Sequence, residues 1–322
     1  MEGLIEATKS EPRKEFQSYL FFLRHFCQLV GGTPASTDGR REVLTRLLDE
    51  QKDHLRSSTS IRPPTPVAFG LRKYLFTAWN AEALSRLSTI FEPEVRQFTN
   101  QWKPVQCYYA IYFQLVALQL RATGKISAHH AGTLKFATQS ALDWLPAPWN
   151  LWFDYSSGGN NFPATTKFHA GPGWNLSNND PHVHLANFYR RTAQRNQLEK
   201  WRSKLKKERL KEGPRRGKRY RVADVKTGRV SIFDVLWRFR CWANYQAADV
   251  IIEGADTLAY AAEFDESFNH IVDATSILCE AALCRFLGRD RMNALYQEYV
   301  GLVGATLDAS QIRLRRELIC GG

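Results

Sequence analysis

Apolar residues recur at helical spacing through most of the chain. Phe16, Tyr19, Leu20, Leu23, Phe26, Cys27 and Val30 fall three and four apart. That pattern predicts a helix over 16–30 with one buried face, stopped by Gly31 and Gly32. A second helix is expected over 40–55, capped by Asp38, with Val43, Leu44, Leu47 and Leu48 inward. A third, over 69–89, turns Leu71, Leu75, Trp79 and Leu84 inward. The serine and proline loop at 57–66 separates the second from the third.

Two stretches look central. Residues 103–120 read KPVQCYYAIYFQLVALQL, and Pro104 should start or kink a helix there. The ring-rich side made by Tyr108, Tyr109, Tyr112 and Phe113 is broad, which predicts burial over most of the circumference. A turn at Gly124 leads into a helix over 127–142, with Ser127 as its cap. The second stretch, 231–253, reads SIFDVLWRFRCWANYQAADVIIE. Helices are then expected at 255–263, 268–287 and 289–318, the middle one with an apolar face of Ile277, Leu278, Ala281, Ala282, Leu283 and Phe286. The expected fold class is mainly α.

Between the two stretches the pattern changes. Residues 145–181 mix proline, glycine and asparagine with Trp149, Trp152, Phe153 and Trp174, which predicts an ordered but irregular segment. A long helix should run from 180 or 181 to about 212, followed by a short hairpin at 219–230. The expected organisation is an N-terminal helical region over 1–62 and a helical bundle split between 63–144 and 231–322. The aromatic segment and a basic arm fill 145–230.

Charge singles out that arm. The 322-residue chain carries 44 Lys and Arg against 32 Asp and Glu, a net +12. Residues 190–221 hold 15 of those cations against Glu199, Glu208 and Glu212, so this segment alone accounts for the whole excess. A confined excess of this kind points to an anionic partner. Its members are Arg190, Arg191, Arg195, Lys200, Arg202, Lys204, Lys206, Lys207, Arg209, Lys211, Arg215, Arg216, Lys218, Arg219 and Arg221. Phosphate neutralisation is the chemistry they suit, with salt-sensitive affinity. Tyr189, Trp201 and Tyr220 stand within or beside the run and could stack on unpaired bases. The expected partner is therefore nucleic acid, RNA or DNA. A protein partner or a homodimer is expected through the bundle.

The six cysteines form no C-x-x-C pair, and Cys107 and Cys241 fall within apolar stretches. Reduced thiols and a cytoplasmic location are expected, with no cofactor, no metal site and no membrane contact. His182 and His184 with Asp180 lack a second ligand cluster, and a turn or cap role is expected of them.

Tyr108-Tyr109-Ala110-Ile111-Tyr112-Phe113, Gly124 and His130-Ala131-Gly132 resemble the YYA-x-F…G…H-x-G pattern of the bacterial HEPN (higher eukaryotes and prokaryotes nucleotide-binding) superfamily. Arg240-Cys241-Trp242-Ala243-Asn244-Tyr245 resembles its R-x-x-A-D-Y segment, with Asn244 in place of Asp. The resemblance implies a HEPN-like helical bundle and a place in a bacterial defence or nucleic-acid-processing complex. Many relatives cleave RNA through an R-x(4–6)-H motif. None of the eight histidines here has an arginine five to seven positions before it. The expectation is a non-enzymatic nucleic-acid-binding subunit. The alternatives are a ribonuclease with a rearranged site, built from His129 or His130 with Arg121 or Arg240, and an adaptor whose basic arm docks on an acidic protein. Tyr108, Tyr109, Tyr112, Arg240, Asn244 and Tyr245 are assigned structural roles. An acidic partner for Arg240 is sought in Asp234, Asp249 or Asp273.

Overall fold

In the computed structural model Leu258–Leu287 forms one continuous helix and not two pieces. The residues described are 12–32, 36–57, 68–87, 92, 95, 98–155, 166–170, 181–212, 230–245, 250–252, 255, 257–303 and 308–321. The helices are α1 (Pro12–Leu29), α2 (Thr37–Ser57), α3 (Ala68–Arg86), α4 (Lys103–Thr123), α5 (His130–Trp144), α6 (Pro181–Glu212), α7 (Ile232–Tyr245), α8 (Leu258–Leu287), α9 (Arg289–Val303) and α10 (Ser310–Cys320). Three short strands accompany them: β1 (Leu151–Tyr155), β2 (Thr166–Ala170) and β3 (Val230–Ser231).

Helix α8 is the axis of the fold. It packs on α1, α2, α4, α9 and α10, and it is buried on every side from Ser267 to Glu280. A helix buried around its whole circumference belongs inside a bundle. Thr257 caps it by accepting the Tyr260 N–H at 3.2 Å. Helix α4 lies between α3, α8, α5 and α7. Pro104 stands in its first turn, where the missing N–H costs nothing. Helix α7 packs on both α4 and α6, so it bridges the bundle and the basic helix. One continuous set of buried residues runs from Phe16, Leu23 and Leu47 through Leu115 and Ile277 to Leu314.

Several expectations change. The irregular segment contains β1 and β2, paired antiparallel with Trp152 opposite His169, and β1 also pairs with β3 through Phe153 and Val230. A five-residue strand among turn residues has too short a period to stand out, and β3 lies far along the chain. Ser36, not Asp38, caps α2: its hydroxyl accepts the Gly39 N–H at 3.1 Å. Ser127 does not cap α5, which begins at His130; its hydroxyl instead accepts from Gln119 at 2.8 Å. Leu84 is exposed, as are Val95, Phe98 and Trp102 ahead of and beside the start of α4. Helix α7 ends at Tyr245, and the run expected over 289–318 is broken into α9 and α10. The loop expected at 57–66 lies almost entirely outside the described residues, as does the hairpin at 219–230 apart from Val230.

The core also holds charge. Arg315 on α10 donates to Glu82 on α3 at 2.6 and 2.8 Å and to Glu280 on α8 at 2.8 Å. Arg86 pairs with Asp273 and with Glu82. Tyr296 and Trp79 donate to Glu280 at 2.7 and 2.8 Å. Burial pushes the Glu82 carboxyl up, but Arg315 and Arg86 reverse this and leave it below its ordinary value. Lys103 forms a separate buried pair with Asp265 at 2.7 Å and also donates to the Ser85 carbonyl and Asn269.

Candidate nucleic-acid interface

Two features on the flanks of α7 make the site. The first is a cluster of rings where α4, α5 and α7 meet. Tyr108, Tyr109, Tyr112 and Phe113 share one side of α4, since positions one turn apart lie on the same face. Gly124, at φ +69°, ends α4 with its N–H on the Leu120 carbonyl at 2.8 Å and turns the chain back. Gly132 must lack a side chain, because a Cβ there would lie 2.6 Å from the Ser127 Cβ and hydroxyl. These two glycines bring His130, the first residue of α5, over the α4 rings.

His130 stacks on Tyr112 at 4.3 Å with 26° between the planes and lies 4.7 Å from Trp237 of α7. Its Nδ1 is 2.9 Å from the Tyr108 hydroxyl. Arg240, three residues after Trp237, donates to the Tyr109 hydroxyl at 2.9 Å and sits 4.9 Å from the Trp237 ring centroid. Burial lowers the His130 pKa and the Arg240 cation lowers it further, so the imidazole is neutral at pH 7. Burial raises the Tyr108 pKa far above the phenol range, which keeps that hydroxyl protonated. His130, Tyr109, Trp237 and Arg240 are half-buried, while Tyr108 and Tyr112 are buried. The chemistry on offer is a cluster of partly exposed rings, a neutral imidazole and a guanidinium held by a tyrosine hydroxyl.

The second feature is α6. Its first half is anchored: Leu185, Phe188, Tyr189 and Ala193 are buried, and α6 packs on α1, β1 and α7. Arg238 of α7 donates to Thr192 at 3.1 Å and lies over Tyr19 and Phe188. Arg190 and Arg191 on the outer side of that anchor, and Lys200, Arg202 and Lys206 beyond it, are exposed. Arg190, Arg191, Arg202 and Lys206 form no ion pair among the described residues. Arg195 pairs with Glu199 at 3.1 Å, and both act on Cys241, the neighbour of Arg240. Lys200 acts on Asp234, whose carboxyl burial pushes up to about 6. The basic helix therefore runs beside the same α7 that carries Trp237 and Arg240.

Tyr189 does not stand ready for bases: it is fully buried. Trp201 is half-buried. The side chains of Lys204, Lys207, Arg209 and Lys211, and all of Arg215, Arg216, Lys218, Arg219, Tyr220 and Arg221, lie outside the described residues. Arg240 contacts the Tyr109 hydroxyl and the Tyr109 and Trp237 rings. Asp234 accepts from the Ser231 N–H at 2.9 Å, and Asp273 pairs with Arg86 and with Arg40; Asp249 lies outside the described residues. Of the weak catalytic candidates, His130 and Arg240 come together, His129 is exposed, and Arg121 is held by the Phe286 carbonyl at 2.9 Å. Asn244 is half-buried, and the Tyr245 side chain is outside the described residues. The His184 ring meets Phe21 edge-on and lies tilted against His25, and no group of three metal-ligating side chains occurs among the described residues. Cys241 is half-exposed rather than buried.

Trp237 was missed in the sequence. The i, i+3 spacing of Trp237 and Arg240 on one helix face was available, but only packing against α4 gives that pair its role. Comparison with family models, curated proteins and solved structures finds no match for this chain. No described helix is long and apolar enough to cross a membrane.

Proposed function

We propose that this protein binds nucleic acid through its phosphate backbone, using α6 as a cationic rail, within a defence or nucleic-acid-processing assembly. The assembly rests on the HEPN resemblance. The binding rests on one observation: Arg190, Arg191, Arg202 and Lys206 are exposed on α6 with no carboxylate partner among the described residues. The ring cluster on the other flank of α7 adds a stacking surface beside the rail. Fluorescence anisotropy with labelled poly-U RNA and poly-dT DNA across a salt series tests this. Changing those four residues to Ala should reduce the slope of log K against log salt by about 3. An unchanged slope, or no binding by the natural protein at low salt, overturns the reading.

A second reading is RNA cleavage, favoured by the juxtaposition of His130 with Arg240. A neutral imidazole can take a proton from a ribose hydroxyl while a guanidinium holds the phosphate. Purified protein should then cleave single-stranded RNA, and His130→Ala and Arg240→Ala should each abolish cleavage. Intact RNA after incubation with the natural protein ends this reading and leaves the first untouched.

A further inference from the structure

All six cysteines are free thiols. Cys27, Cys107 and Cys279 are buried in the core, and Cys241 stands alone beside Arg240. Cys284 and Cys320 differ, because their side chains come close enough to act on one another. The backbone around them shows the same proximity. The Gly288 N–H closes α8 on the Cys284 carbonyl at 2.9 Å. The Cys320 Sγ reaches the carbonyl of Arg289, the very next residue, at 3.9 Å. The last residue of α10 therefore lies over the turn that Cys284 helps to close.

Cys284 is also reachable. It lines an open, mainly apolar cleft of about 270 Å³ between α2, α8 and α10, walled by Leu48, Ala281, Leu318 and Ile319. Cys320 does not line it and is 5% exposed. A small neutral oxidant can enter the cleft and meet the Cys284 sulfur first.

We propose that Cys284 and Cys320 form a redox modification site, converted by peroxide-class oxidants into a disulfide that ties the end of α8 to the end of α10. The Cys284 thiolate attacks one peroxide oxygen, the O–O bond breaks, and Cys284 sulfenic acid and one water result. The Cys320 thiolate then attacks the sulfenyl sulfur. The S–S bond forms, hydroxide leaves, and a proton makes it the second water. Two thiols are oxidised by two electrons while one hydrogen peroxide is reduced to two waters.

The position gives the bond a consequence. Arg315, which joins α10 to Glu280 of α8 and Glu82 of α3, lies on the same helix pair. A disulfide there holds α10 on α8 and keeps Arg315 seated. Burial pushes the Cys320 thiol up to about 11 and also raises Cys284, with Arg289 opposing in both cases. Both thiols are therefore protonated and slow to react at neutral pH.

The test treats the full chain with hydrogen peroxide at pH 8.5, removes the oxidant, unfolds the protein and alkylates the remaining thiols. The number alkylated should fall from six to four, and a non-reducing peptide map should join Cys284 to Cys320. The oxidised protein should melt about 5 °C above the reduced protein. Cys284→Ser should remove both the crosslink and the shift. Six alkylated thiols, a crosslink between other cysteines, or oxygen added to Cys284 without a crosslink overturns the proposal. The peptide map of the natural protein decides this even if the variant does not fold.

Discussion

Arginine does opposite work in two regions of this molecule. In the core, Arg315 and Arg86 are enclosed by Glu82, Glu280 and Asp273, and their charge is matched side chain by side chain. On α6, Arg190, Arg191 and Arg202 face solvent with no acidic partner among the described residues. A buried cation without a carboxylate would be too costly to fold around, so each core arginine has one. A solvated cation carries no such requirement, so nothing in folding explains a run of them. The core arginines thus report on architecture, and the α6 arginines are the ones the proposed nucleic-acid binding would use.

That contrast can be broken most sharply at Arg315. Arg315→Leu leaves Glu82 and Glu280 short of a cation in the core and should cost about 4 kcal/mol in urea unfolding. A loss below about 1 kcal/mol would mean that the network contributes little. Lys103→Met takes the paired cation away from Asp265 and should cost about 3 kcal/mol. The double variant Lys103→Met with Asp265→Leu should recover most of that, because it is the unpaired charge that is expensive.

His270 sharpens the comparison from the other side, as a core group with no hydrogen-bond partner among the described residues. Neither ring nitrogen has a hydrogen bond, and burial, aided by Arg40 and Arg46, pulls its pKa down to about 4. Between the ordinary value of 6.5 and about 4, the unfolded chain takes up the proton and the folded chain does not. Stability from this group is therefore complete above pH 6.5 and is lost as pH falls, by up to about 3 kcal/mol. His270→Leu should flatten that part of the stability profile relative to the natural protein.

The smallest stability effect belongs to α6. Arg190→Ala, Arg191→Ala, Arg202→Ala and Lys206→Ala should each change unfolding free energy by less than about 0.5 kcal/mol. Nucleic-acid affinity should fall in the same proteins. A large stability loss there would place those side chains among the structural charges and erase the contrast.

Some of this was legible in the residues alone. The α1 face of Phe16, Tyr19, Leu20, Leu23, Phe26, Cys27 and Val30 is buried as its spacing predicts, and Gly31, at φ +108°, follows the helix end. The mainly helical class, the start of α4 at Pro104 and the confined charge of α6 were legible as well. The β1–β3 pairing was not, because β1 finds β3 across the whole of α6. Of the candidate site, the tyrosines, His130 and Arg240 could be named but not assembled.

Periodicity and charge are local properties, so the chain by itself determined where its helices run and where its net charge is concentrated. Partnership is not local. Arg315 meets Glu82, Lys103 meets Asp265 and His130 meets Trp237 only because packing around α8 and α4 brings together residues distant along the chain. Which cations are neutralised and which remain available was therefore decided by tertiary structure, since burial makes a carboxylate partner obligatory and solvent does not.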